Sequence, residues 1–114
     1  MDYSVQETRT LEIDNDFEGV NSIVAFLTKD LPTYGILEQE QLFYINMLLK
    51  ETLENAIFHG NLELNSETRL ENPNLFYETA AKKREIDPYK NRKVIVNYDI
   101  NRNSAKYAVR DEGK

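Results

Sequence analysis

Residues 38–59, closed by Gly60, restrict the fold of this chain more than any other stretch. Leu42, Ile45, Leu49, Leu53, Ala56 and Ile57 recur at steps of three and four, which puts them on one face of a long α-helix. An apolar stripe of that length must be laid against another layer. Glu38, Glu40 and Gln41 near the start suit the positive end of the helix dipole. Gly60 follows the last periodic residue, where helices commonly stop in a left-handed cap. Glu51 and Asn55 lie four residues apart, one turn above each other and opposite the stripe. Tyr44, Met47, Leu48 and Phe58 share their side. A carboxylate and an amide among large apolar groups are costly to bury unless something satisfies them, so the pair calls for a partner. The alternative is a solvated helix face that carries exposed aromatics.

Around that helix the chain alternates between two periods. Residues 1–6 read as a loose tail. Leu11 and Ile13 alternate with Thr10 and Glu12, a short strand over residues 8–14. Asp14, Asn15 and Asp16 offer helix N-caps. Val20, Ile23, Val24, Leu27 and Leu31 then predict a scaffold helix over residues 18–31, broken by Leu31-Pro32-Thr33-Tyr34-Gly35. Farther on, Asn72-Pro73-Asn74 and Asp87-Pro88-Tyr89 signal turns, and Leu75, Phe76, Thr79, Ala80, Lys83 and Ile86 fall between them at helical spacing. Val94, Val96, Tyr98 and Ile100 alternate with Ile95, Asn97 and Asp99 as a strand. Asn101-Arg102-Asn103-Ser104 reads as a hairpin loop, and the returning strand carries Ala105, Tyr107, Val109 and Asp111 on one face. That phase turns Asp111 toward the helices, where a carboxylate needs a donor. It serves equally as a strand-end Asp that caps a turn before Gly113. The expected fold is α+β: a two-layer sandwich of helices on a mixed, mainly antiparallel sheet.

Composition removes several functions. A length of 114 residues is expected to make one domain. A net charge of −6 argues against nucleic acid, which demands a basic surface. Absence of cysteine excludes disulfides and thiolate metal sites. No apolar run reaches membrane-spanning length and no signal peptide leads the sequence, so a soluble, cytoplasmic protein without membrane contact is expected. His59 is the sole histidine, and neither a Gly-x-Ser-x-Gly turn nor a Gly-x-x-x-x-Gly-Lys phosphate loop occurs. His59, just before Gly60, reads as a structural residue at the helix end rather than a general base.

Glu51-x-x-x-Asn55-Ala56-x-x-His59-Gly60 (residues 51–60) resembles the N box of the GHKL ATPases. It looks most like that of the anti-sigma-factor serine kinases and related histidine-kinase-like ATPase domains. Val109-Arg110-Asp111-Glu112-Gly113 resembles the opening of the G1 box, which would occupy residues 111–114. The resemblance implies a Bergerat-type ATP-binding fold with ATP and Mg²⁺ as ligands. Asn55 would hold Mg²⁺ against the phosphates, and Glu51 would be the catalytic base toward a serine of a regulatory protein. Asp111 would accept from the adenine amino group, and Gly113 would let the backbone approach the ring. The implied partner is a sigma factor or an anti-anti-sigma-like substrate. Residues 62–92 resemble an inserted helical segment, either a docking surface or a hairpin covering its own apolar face. The family's second glycine, lid and later strands do not follow Gly113. The expectation is therefore a domain incomplete at its C-terminus, inactive alone, and either a homodimer or a weak ATP binder. A non-catalytic regulatory module that keeps the fold without turnover is the alternative.

Overall fold

The alternation of residues 94–100 becomes the central strand of the sheet. In the computed structural model, which describes residues 6–31, 39–101 and 104–113, β1 spans Gln6–Ile13, β2 Val94–Asn101 and β3 Ala105–Asp111. The sheet order is β1-β2-β3, and both pairings are antiparallel. Leu11 lies opposite Val96, which in turn lies opposite Val109; Val94 faces Ile13 on one side and Asp111 on the other. Because side chains alternate across a strand, Val94, Val96, Tyr98 and Ile100 all point into one buried layer. Asn97 and the β3 residues Lys106, Ala108 and Arg110 face outward. β1 starts at Gln6 rather than in a tail, because Gln6 pairs with Asn101.

The helices cover the buried face. α1 spans Val20–Thr28 and α2 Gln39–Asn55. Val20, Val24 and Leu27 of α1 pack with Leu49 and Leu53 of α2 on the sheet, while Leu42 and Ile45 pack partly buried at its margin. α1 is shorter than its apolar period because a 3₁₀ turn, Phe17–Gly19, takes up its first residues. Asp16 caps that turn, accepting from the Gly19 N–H at 3.2 Å. Asn15, the neighbouring cap candidate, is buried instead and caps nothing. Residues 62–92 contain α3, Ser66–Glu71, and α4, Pro73–Lys83. Asn72 joins them and caps α4 by accepting from the Leu75 N–H at 3.2 Å, with Pro73 in the first turn, where its missing N–H costs nothing. Of the expected stripe Phe76 and Ala80 are buried, whereas Leu75 and Ile86 are exposed. The result is an α+β fold with a three-stranded antiparallel sheet. Among the described residues no helix is long and apolar enough to cross a membrane. The tail at residues 1–5, the break at Pro32-Thr33-Tyr34-Gly35, the helix start at Glu38 and the loop residues Arg102 and Asn103 lie outside the described residues.

Candidate functional site

α2 does not stop at Gly60. After Asn55 it widens into a π turn, Ala56–Asn61, closed by the Leu62 N–H donating to the Ile57 carbonyl at 2.9 Å. The Leu64 N–H reaches the Phe58 carbonyl at 2.8 Å. Such wide turns insert a residue relative to the α-helical ladder and recur at functional sites. The expected left-handed cap at Gly60 is not formed; the residue at positive φ is Glu63, at 51°. Gly60 is required by close approach. A Cβ on it would stand 2.3 Å from the Asp111 carboxyl carbon, and a Cβ on Gly113 would stand 2.0 Å from the Gly60 carbonyl oxygen. Neither distance is open to a real Cβ, so two glycines let the helix end and the strand end touch.

Asp111 sits half-buried on the face shared with Tyr107 and Val109, as its phase requires. Its carboxylate rests against Gly60 and accepts from the Gly113 N–H at 3.0 Å. This closes a tight turn after β3. The side of Gly113 expected to approach a ligand ring is filled by the Gly60 carbonyl, so protein packing by itself accounts for that glycine.

Glu51 and Asn55 are both exposed. The apolar groups around them do not bury them, because Tyr44, Met47 and Leu48 are exposed as well. The desolvation that would demand a partner is therefore absent. Phe58, expected on that same side, is fully buried, because α4 and the Phe17 turn fold over it. Its ring lies 4.9 Å from Phe76, 5.1 Å from Phe17 and 5.8 Å from Tyr77. His59 Nδ1 is 2.7 Å from the Leu64 carbonyl oxygen, where it ties the end of the helix to the chain leaving it.

Asn61 and Arg92, which the sequence did not single out, and Asn15, expected only as a helix N-cap, hold this junction together. Asn61 is fully buried and Asn15 nearly so. Asn61 Oδ1 accepts from the Glu112 N–H at 2.7 Å, and Asn61 Nδ2 donates to Asn15 Oδ1 at 2.8 Å. Asn15 Nδ2 donates to the Tyr89 and Arg92 carbonyls at 3.1 and 3.2 Å. Arg92 Nη1 returns to the Asn61 carbonyl at 2.7 Å and to Glu63 at 2.6 Å. Glu112 also accepts from the Lys93 N–H at 2.6 Å. One signal for Asn61 was present: it stands four residues after Ile57 and so continues the buried stripe.

Beside the junction, a cleft of about 280 Å³ is lined by Asp14, Asn15, Asp16, Arg84, Glu85, Lys90 and Lys93. Its cations are already paired: Lys93 with Asp14, Arg84 with Glu18 at 2.6 Å, Lys90 with Asp87 at 3.6 Å. The hydrogen bond that the Lys93 ammonium donates to the Asp14 carboxylate raises its pKa above the ordinary lysine value, against a smaller opposing effect of burial. The cleft is a balanced, solvated charge network. Among the described residues no three His, Cys, Asp or Glu side chains converge as a metal cage. A hard cation bound at Asn55 would therefore rely on one amide oxygen plus ligand and water oxygens, a donor set that Mg²⁺ accepts. No family model, curated protein or solved structure matches this chain.

Proposed function

We propose that this chain is a cytoplasmic Mg-ATP-binding domain of the kind found in anti-sigma-factor serine kinases. One observation carries the reading. The helix that bears Glu51 and Asn55 ends in contact with the turn that bears Asp111, through two glycines and a hydrogen bond between residues 51 apart in sequence. The two stretches that resemble N box and G1 box thus meet at one junction, and Glu51 and Asn55 stand exposed on the helix leading to it. In this reading the Asn55 amide oxygen holds Mg²⁺, and the Asp111 carboxylate accepts from the adenine amino group. Glu51 takes the proton from a serine hydroxyl of a regulatory partner, a task that requires hydrogen-bond reach and therefore an accessible carboxylate. Bound Mg²⁺ would supply the charge neutralisation that phosphoryl transfer depends on.

Calorimetric titration with Mg-ATP tests the reading. Wild type binds, and Asn55→Ala binds at least about tenfold more weakly, as expected when a ligand to the metal is lost. Glu51→Gln binds like wild type, while transfer of labelled phosphate to a co-purified partner, measured in a longer protein that supplies the family's lid and later strands, falls by about 10²–10⁴-fold. Equal binding by wild type and Asn55→Ala ends the metal assignment. A second reading, a partner-binding module without turnover, is favoured by the exposed Phe43, Tyr44, Met47 and Leu48 beside Glu51. Partner capture without any heat of ATP binding would select it.

A further inference from the structure

We propose that Asn61 is the positioning residue of this site: its side-chain amide sets the turn that presents Asp111. The proposal rests on the ATP reading for what the turn does, but its geometry stands alone. Both amide orientations are fixed by the backbone groups they face. The Glu112 N–H can only donate, so the Asn61 atom 2.7 Å away is its oxygen. The Tyr89 and Arg92 carbonyls can only accept, so the Asn15 atom between them is its nitrogen. Asn61 nitrogen and Asn15 oxygen are then left facing each other at 2.8 Å, a donor against an acceptor. The relay has one direction and no unpaired end: it runs from the Glu112 amide through two buried side chains to the loop before β2.

The position of this relay gives it its consequence. Glu112 stands between Asp111, whose carboxylate lies on Gly60, and Gly113, whose backbone lies on the Gly60 carbonyl. The Asn61 bond therefore holds the middle of a three-residue turn whose two outer residues touch the helix end. Removing the acceptor costs the Glu112 N–H its protein partner in a part-buried bond, and moving outward lets the turn satisfy it with water. Such a movement carries the Asp111 carboxylate away from the helix that bears Asn55. Among the described residues the hydrogen bonds of the Asn15 side chain go to Asn61 and to the Tyr89 and Arg92 carbonyls rather than to the turn. Losing Asn15 strands the Asn61 nitrogen but keeps the Glu112 bond.

The experiment compares Asn61→Ala, the milder Asn61→Ser and Asn15→Ala with wild type. It reads the exchange rates of the Glu112 and Gly113 amides without nucleotide, and titrations with Mg-ATP and Mg-GTP. Glu112 exchange is expected to rise about tenfold in both Asn61 variants, the effect of one lost part-buried hydrogen bond, and to rise less in Asn15→Ala. ATP affinity is expected to fall about tenfold in the Asn61 variants, and the preference for ATP over GTP to shrink with it. Asn15→Ala, with a comparable loss of melting temperature, is expected to keep the preference. Glu112 exchange that is equal in wild type and both Asn61 variants overturns the proposal. So does an ATP-to-GTP preference that follows melting temperature in all three variants. If wild type binds neither nucleotide, the ATP reading fails, and the exchange comparison alone decides whether Asn61 sets the turn.

Discussion

The two ends of the long helix occupy different environments along one axis. Through α2 the side away from the sheet is open: Phe43, Tyr44, Met47 and Leu48 are 67, 62, 55 and 42% exposed. Past Asn55 the helix is enclosed, and Ala56, Ile57, Phe58, Asn61 and Leu62 are all buried. The apolar character of the side chains does not distinguish the ends, since Phe43 and Phe58 are the same residue. What differs is the number of elements that arrive. α1 and the sheet cover one side of α2. The π turn is met by α4, by the Phe17 turn and by the end of β3. A periodic stripe determines which side of a helix faces its sheet, and elements distant in sequence determine whether the other side is covered.

The largest test of that contrast exchanges the same side chain at both ends. Phe58→Ala removes a ring that Phe17, Phe76 and Tyr77 enclose and is expected to cost about 3–5 kcal/mol. Phe43→Ala truncates an exposed ring and is expected to stay within about 0.5 kcal/mol of wild type. Urea denaturation of the two variants checks both values. Similar losses would show that the outer side of α2 is covered in solution.

The same contrast explains what was legible in the sequence. The strands and the face of each residue on them follow from a period of two, so Asp111 lies on the helix side as expected. The stripe from Leu42 to Ile57 follows from the helical period, and its members are buried or half-buried. The burial of Phe58 was not legible, because it depends on Phe76 and Tyr77 in a segment whose docking no local period encodes. The role of Gly60 was visible as a glycine and misread as a left-handed cap, since its reason is a carboxylate 51 residues away. Glu51 and Asn55 were legible as a pair on one face, and the structure selects the solvated face with exposed aromatics over the buried pair; the choice depends on what fails to cover Tyr44 and Met47, which no local period encodes. Asn61 and Asn15 were missed as a pair because a hydrogen bond between residues 46 apart leaves no local trace.

Gly60 supplies the next test. Gly60→Ala needs no unusual backbone angle, but its methyl would stand 2.3 Å from the Asp111 carboxyl carbon. Overpacking of that kind is expected to cost about 1–3 kcal/mol. Removing the obstacle should relieve it, so Gly60→Ala should cost less in an Asp111→Ala background, a coupling that a double-mutant cycle reads directly. Additive losses would mean that Gly60 matters for its backbone angle, as in the left-handed cap.

The smallest expected effect compares two tyrosines, one tied and one free of the core. The Tyr107 hydroxyl donates to the Leu27 carbonyl at 2.7 Å, and its ring stacks on Tyr98 at 6.0 Å. Burial, reinforced by Tyr98 and Asp30, pushes the Tyr107 phenol from 10.0 up to about 12. A raised phenol means that the folded state keeps a proton which the unfolded state has already released. The folded state then binds more protons than the unfolded one between pH 10 and 12, so stability falls as pH rises through that window. Lys93, also held above its ordinary 10.5 by Asp14, loses its proton in the alkaline range too, so only the difference between variants belongs to Tyr107. Tyr107→Phe is expected to cost about 0.5–1.5 kcal/mol near neutral pH for the lost hydrogen bond, and to flatten the alkaline decline. Tyr44→Phe removes an exposed hydroxyl and is expected to change neither stability by more than about 0.5 kcal/mol nor the shape of the decline. Circular dichroism of wild type and both variants from pH 8 to 12 decides it. If Tyr107→Phe declines as steeply as Tyr44→Phe, the hydroxyl does not tie α1 to the sheet, and the alkaline decline has its source elsewhere in the chain.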